Sequence, residues 1–488
     1  MNAAEKGTRR RAATRPPTRT GRSAVAPAVL LALAGVALLL TGRHSAAPRA
    51  DGGVGVGPTA GGGVVDHTTL ACPDQPAGRR ESVTTDLGLA RTTPDVTPPS
   101  GGAVTVGPVD ATGRPVDLAR GRLSRVSSDG GPAVDATGGS AAGLFAFRTD
   151  GVEGRTLGVS ACPAPRARWW FTGAGAGLDH SSSLLIANLD PGPAVLDVTV
   201  LGPDGVVDTV ATHGITVAPH SVRRIDLADI APQTDDLAVE VRASRGRVVA
   251  SVTDSFAAQP SAKPTDRPGQ EWLAATERPS RTVQLAGLPA ASSSSTLLVA
   301  NPSDLEATVD VRVAGKAGTF APTGLDTITV APGAIEAVDV GSVLPKKEPV
   351  ALQLRSRVPV VASVRVADGA DHAYATPVSP LLGPAAAPVV PGVDTTVQLT
   401  AGAVATEASV VAYDAEGARV DGTTLSIDAT ATATWSPGKG ADYLVVTPST
   451  GGGTVRGAVS YTGGGLATVP LTALPVRVQR PDVTPGLH

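Results

Sequence analysis

Side chains able to act as nucleophiles, bases or metal ligands are few in this chain and mostly stand alone. The seven histidines, His44, His67, His180, His213, His220, His372 and His488, include no two spaced i, i+2 or i, i+4, so no single strand or helix offers a ligand pair. One cluster combines an acid, a base and hydroxyls: Asp179-His180-Ser181-Ser182-Ser183. Further on, Ser292-Ser293-Ser294-Ser295 stands in the corresponding place, and it has neither Asp nor His. A Ser-rich loop accounts for both stretches, whereas catalysis accounts for one. No Gly-x-Ser-x-Gly elbow between a strand and a helix exposes a serine. No catalytic, metal-binding or cofactor-binding residue is assigned on these grounds, no cofactor is expected, and the chain is not expected to be an enzyme. An envelope hydrolase is the third-ranked reading of its function.

Two further sets of residues have a chemical alternative. Trp169 and Trp170, followed by Phe171, precede one repeat, Trp272 precedes the next, and Trp435 stands near the end. Exposed, they would stack on sugar rings as glycan contacts; packed, they would be residues at the junctions between units. Cys72 and Cys162 are the only cysteines, each in an Ala-Cys-Pro tripeptide. On the oxidising side of a membrane such a pair reads as a disulfide, and two sulfurs without neighbouring histidines make a poor zinc site.

The elements that must position these residues are repeated. Leu184-Leu185-Ile186-Ala187-Asn188 recurs as Leu297-Leu298-Val299-Ala300-Asn301, Thr216-Val217-Ala218-Pro219 as Thr329-Val330-Ala331-Pro332, and Val248-Val249-Ala250-Ser251-Val252 as Val360-Val361-Ala362-Ser363-Val364. The offset is nearly constant, so a domain-sized unit is duplicated. Within it, Leu196-Asp197-Val198-Thr199-Val200 and Val309-Asp310-Val311-Arg312-Val313 alternate apolar and polar residues, the pattern of a half-buried strand. Gly202-Pro203-Asp204-Gly205 makes a hairpin turn, and Asn188 and Asn301 are expected to close local turns through their own backbone. About seven short strands per unit of roughly 100 residues predicts an all-β fold of tandem immunoglobulin-like β-sandwich repeats. The alternative is a propeller-like array in which the units close on one another; the cysteine bond would then tie the starts of two neighbouring units.

The organisation follows: a basic cytoplasmic tail 1–22, a transmembrane signal anchor 23–42, a Gly-rich tether 43–70, a first β unit 71–165 with the cysteines at its ends, repeats 166–275 and 276–387, a divergent β unit 388–480 and a tail 481–488. Leu144 to Arg148 with Leu157 to Ser160, and Tyr443 to Val446 with Val455 to Ser460, resemble the last two strands of the central repeats. Before residue 23 the chain carries Lys6, Arg9, Arg10, Arg11, Arg15, Arg19 and Arg22 against Glu5 alone, and the uncharged stretch that follows can just span the hydrocarbon of a bilayer. A single-pass membrane protein with its ectodomain outside is expected; secretion after signal cleavage near Ser45-Ala46-Ala47 is the alternative. A net charge of −3 gives no excess of cations for phosphates, so nucleic acid is not an expected partner. Arg223-Arg224 and Arg242, Arg245 and Arg247 read as solvated faces.

The series Trp169-Trp170-Phe171, Leu184 to Asn188, Val195 to Val200, Gly-Pro-Asp-Gly, Val217-Ala218-Pro219 and Val248 to Val252 looks like a β-repeat of bacterial surface proteins. With the basic anchor, the tether and the two-cysteine first unit, the chain resembles an actinobacterial family, domain of unknown function 5719. That resemblance implies, by association, a role near envelope polysaccharide assembly and a membrane glycosyltransferase or wall glycan as partner. It supplies no catalytic residues. The expectation is a non-catalytic, membrane-anchored scaffold of the cell envelope, with a glycan-binding module as the alternative.

Overall fold

The computed structural model describes residues 63–478 apart from 75–82, 92–95, 129, 153–155, 258–268, 277 and 291. The basic segment 1–22, the apolar segment 23–42, the tether as far as residue 62 and the tail 481–488 lie outside the described residues. Among the described residues no helix is long and apolar enough to cross a membrane.

The described elements are antiparallel strands and three short 3-10 turns. They form four units, each with two open sheets. In the second unit one sheet runs Arg168–Ala174, Leu237–Arg245, Ala194–Gly202, Gly205–Val207, with Ile215–Val217 also on Ala194–Gly202; the other runs Ser221–Asp226, His180–Asn188, Val249–Phe256, Gly269–Leu273. The first unit keeps this order with His67–Ala71, Ala133–Thr137, Val104–Gly107, Arg114–Val116 and with Leu123–Ser127, Thr84–Leu89, Leu144–Val152, Thr156–Ala161. The fourth unit keeps it too, from Ala385–Pro388 to Ala467–Pro470. The third differs in one respect. Where Gly246, at φ +77°, separates Leu237–Arg245 from Val249–Phe256, the third unit has Ser356-Arg357-Val358-Pro359 and no glycine, and a single strand, Val350–Asp368, passes from one sheet into the other.

The alternating strands bury their apolar faces as their pattern requires. Leu196, Val198 and Val200, and Val309, Val311 and Val313, are all at most 1% exposed, while Asp310 and Arg312 face solvent. Each such side chain contributes about 1.5–3 kcal/mol relative to leaving it in water. In the first unit, Leu144–Val152 and Thr156–Ala161 take the places of Val249–Phe256 and Gly269–Leu273, the last two strands of the second unit, whereas in the fourth Tyr443–Pro448 and Val455–Thr462 take those of Leu237–Arg245 and Val249–Phe256, one strand earlier.

The units meet in a cycle. The last strands, Thr156–Ala161, Gly269–Leu273, Asp371–Ala375 and Ala467–Pro470, each lie against the next, and the fourth lies against the first. The Asp371 carboxylate joins three units by accepting the backbone N–H of Leu157 at 2.9 Å and of Leu466 at 2.7 Å. Gly63–Val64 pairs with Arg477–Val478, which ties the start of the described chain to its end. The Cys72–Cys162 disulfide is present, but it does not tie two units: Cys72 follows the first strand of the first unit and Cys162 its last, so the bond spans that unit alone.

Asn188 and Asn301 explain why two motifs are duplicated together. Each is fully buried, and its side-chain oxygen accepts the N–H two residues on, from Asp190 or Ser303, as the local turn requires. The amide nitrogen does more. In Asn188 it lies 2.8 to 3.1 Å from the carbonyls of Gly192, Val217 and Ala218; in Asn301 it lies 2.7 to 3.2 Å from those of Leu305, Val330 and Ala331. The Asn thus holds the Val-Ala-Pro turn of its own unit. Asn301→Ala removes the amide donor to the Val330 and Ala331 carbonyls, while Leu305 keeps the Ser303 hydroxyl at 2.9 Å, and it is expected to lower unfolding free energy by about 2 kcal/mol, read as a fall in the urea midpoint at unchanged m-value.

Candidate functional site at the junctions between units

The Asp-His-Ser cluster of the second unit lies at its junction with the third. Strand His180–Asn188 carries His180 and Ser182 on one face, and Val249–Phe256, paired beside it, places Asp254 opposite Ser182. The third unit's last strand adds His372 and Tyr374. Asp254 accepts four hydrogen bonds: its Oδ1 from His180 Nε2 at 3.1 Å and from the Ser182 hydroxyl, its Oδ2 from His372 Nε2 at 3.0 Å and from the Tyr374 hydroxyl at 2.7 Å. The Tyr374 oxygen also lies 2.8 Å from the Gly173 carbonyl, and its single hydrogen serves one acceptor at a time. Gly173 adopts φ +106°, and a Cβ there would fall 2.7 Å from the Tyr374 ring, so this close approach of the two units requires glycine.

The charges follow from the geometry. Burial disfavours the Asp254 carboxylate, but the charge and hydrogen bond of His180, and then those of His372, outweigh it and hold the carboxyl well below its usual range. Burial opposes protonation of His180, which the Asp254 carboxylate overcomes, so its pKa is raised. Burial dominates at His372 and lowers its pKa, and it pushes the Tyr374 hydroxyl well up. Arg365, stacked 4.2 Å from the centre of the Phe256 ring, pairs with Asp236 at 2.8 Å and lies 3.5 Å from His180 Nδ1. The cluster is therefore an ionised acceptor ringed by donors, with His180, Ser182, Asp254, His372 and Tyr374 all 5% exposed or less. Ser182 gives its hydrogen to Asp254 and not to a histidine. A nucleophile and base would need the reverse arrangement and an open approach.

Spacing along the chain conceals this cluster, because Asp254 is 74 residues from His180 and 118 from His372. The matched repeats do hold a signal. In the third unit the position opposite Ser295 is Val366, where the second unit has Asp254 opposite Ser182. A carboxylate standing where its copy has valine marks a departure from plain packing.

Of the four tryptophans, three are inside the protein. Trp169, Trp170 and Trp272 are 1%, 2% and 4% exposed. Trp169 donates its Nε1–H to the Val248 carbonyl at 3.0 Å and carries the Arg166 guanidinium on its ring at 3.8 Å; Trp272 donates to the Asp74 carbonyl at 2.8 Å, across to the first unit. Trp435 is half-buried against the fourth unit's core. Trp272 lies in the last strand of the second unit and not at the start of the third, so it is not the counterpart of Trp169.

Two cavities lie at the junctions. An apolar one of about 390 Å³ is bounded by Phe147 and Val159 of the first unit, Trp169 and Trp272 of the second and Val469 and Leu474 beyond. A groove of about 980 Å³ lies between the first and second units. Among the described residues no group of three or more His, Cys, Asp or Glu could hold a metal ion.

No curated protein matches the chain. A family model does: residues 124–438, from the first unit's strand Leu123–Ser127 to the turn after Trp435, match a family of unknown function, DUF5719, and since that span is well over half of the sequence the chain belongs to this family.

Proposed function

We propose that this protein is a non-catalytic, membrane-anchored scaffold of the actinobacterial cell envelope, which holds a rigid ring of β units outside the membrane for a protein partner in polysaccharide assembly. One observation carries the reading: the side chains with the most chemical potential, His180, Ser182, Asp254, His372 and Tyr374, are spent on joining two units. The disulfide supports an oxidising compartment. The arginine-flanked apolar segment 23–42 supports an anchor whose N-terminus is cytoplasmic. Burial of Trp169, Trp170 and Trp272 weighs against the glycan-binding alternative, because rings at most 4% exposed present no open face to a sugar in solvent.

The test is in-cell crosslinking of the full chain followed by affinity capture. Recovery of a membrane glycosyltransferase is the expected result. Recovery of wall polymer alone, lost on Trp435→Ala, would replace the scaffold with a glycan-binding protein.

A further inference from the structure

The duplicated sheet face offers a comparison within one molecule. Leu185, Ala187, Val222, Val249 and Ser251 of the second unit are the counterparts of Leu298, Ala300, Ile335, Val361 and Ser363 of the third, since Ala187 is opposite Val222 and Val249 as Ala300 is opposite Ile335 and Val361. In the third unit all five are at most 2% exposed. They are covered by the second unit, whose Trp170, Leu201 and Ala238 share a core with them and whose Thr172 carbonyl accepts the Ser363 hydroxyl at 2.6 Å. In the second unit the same face is open along one edge: Leu185 and Val249 are 5% and 4% exposed, Ala187 and Ser251 are half-buried, Val222 is 49% exposed, and all five residues line the 980 Å³ groove against the first unit.

The two sheets also differ in strand length. The covering sheet of the second unit contains Ala194–Gly202 and Leu237–Arg245, nine residues each, whereas the first unit has only Val104–Gly107 and Ala133–Thr137, four and five residues. At about 3.4 Å per residue the missing length is about 15 Å of extended chain.

We propose that this groove receives one extended, alternately apolar peptide strand from a partner protein, laid where the longer sheet lies at the next junction. Among the described residues Ser221–Asp226 is an edge strand of its sheet beside the groove, so main-chain hydrogen bonds are available to a peptide on the second unit's side; on the first unit's side the edge strand Arg114–Val116 carries Pro115, which has no N–H to give. Its walls are aliphatic, with Val106, Val109, Val116 and Val126 facing Leu185 and Val222, and no aromatic ring among them provides a stacking platform for a sugar. The rim carries both signs, with Arg224 paired to Asp74 at 3.2 Å and Asp110 and Arg114 nearby, which suits an uncharged or mixed segment better than a polyanion. The volume lies within the range of ligand sites. The proposal rests on the scaffold reading only in taking the partner to be a protein.

The probe is a fluorescein-labelled peptide with the sequence of Leu237–Arg245, titrated into the full disulfide-bonded chain and followed by anisotropy. Saturable binding is expected, weakened at least tenfold by Val222→Asp and unchanged by Val210→Asp, which alters a 90% exposed residue outside the groove. Thermal melts of both variants confirm folding, and benzoylphenylalanine at position 222 is expected to crosslink to the peptide. Absence of saturation, equal affinity of the Val222→Asp variant, displacement by sub-micellar dodecyl maltoside, or crosslinks confined to the chain's own residues 75–82 would each overturn the proposal. None of these results bears on envelope location or on capture of a glycosyltransferase, so the scaffold reading fails or stands separately.

Discussion

Asp254→Ala is expected to lower the unfolding free energy by about 3–5 kcal/mol, because it removes the one acceptor shared by four buried donors. The loss is electrostatic as well as steric. With the carboxylate gone, a protonated His180 would lie 3.5 Å from Arg365 with only the weaker influence of Asp236 to offset burial and that charge, so the protonated imidazole loses most of its support. The difference between the two proteins therefore depends on pH in a set direction. Asp254 has a depressed folded-state pKa, so its contribution is complete above the usual carboxylate value of about 4 and fades as pH falls below it. His180 has a raised folded-state pKa, so its contribution is complete below about 6.5 and is lost as pH rises through the folded-state value. The burial that lowers the pKa of His372 is common to both proteins. The gap in urea midpoint should thus be widest between about pH 4 and 6.5 and narrow on either side. A gap that stays constant from acid to alkaline pH would mean that the junction is held by packing alone, with the carboxylate uncharged in its role.

The same junction shows what a sequence reveals about such a fold. Alternation in Leu196 to Val200 and Val309 to Val313 predicts which side chains are inside, and these are the residues found buried, because the period of a strand is a local property. The paired motifs Leu-Leu-x-Ala-Asn and Val-Ala-Pro mark one structural device, since the Asn of the first donates to the carbonyls of the second. Local patterns do not reveal how units meet. Asp254 acquires its meaning from His372 and Tyr374 on another unit, and Asp371 from Leu157 and Leu466 on two others. The tryptophans mislead for a related reason. Aromatics make up only 3% of the chain, so each one stands out as a possible contact, yet scarcity here means that the few large rings are drawn into the places where units need filling. The cysteine bond is legible as a pair at the two ends of one unit, and the strands that precede Cys72 and Cys162 belong to that unit.

Removing that bond by a Cys72→Ser, Cys162→Ser double substitution is expected to cost about 4.6 kcal/mol, the chain-entropy value for a closed loop of this size, the two positions being 90 apart in sequence. The effect should be local. The first unit has the shortest strands in its outer sheet and a core of few large residues, Leu70, Leu87, Leu89, Leu118 and Leu144 chief among them, so it has the least burial with which to offset the loss. Its other supports come from neighbours: the Tyr443 hydroxyl donates to the Gly121 carbonyl at 2.6 Å, Arg91 to the Gly417 carbonyl at 3.0 Å, and Trp272 to the Asp74 carbonyl at 2.8 Å. Those contacts hold the first unit in place only while its own sheets persist. In the serine variant, limited proteolysis should therefore cut within 71–165 first, leaving the second and third units protected, and the urea transition should split into an early phase for the first unit and a later one for the rest. The groove between the first and second units would disappear in the early phase, so peptide binding should be lost at urea concentrations where Trp169 of the second unit is still buried. A single transition at the midpoint of the disulfide-bonded protein would show that the ring contacts alone suffice to hold the first unit.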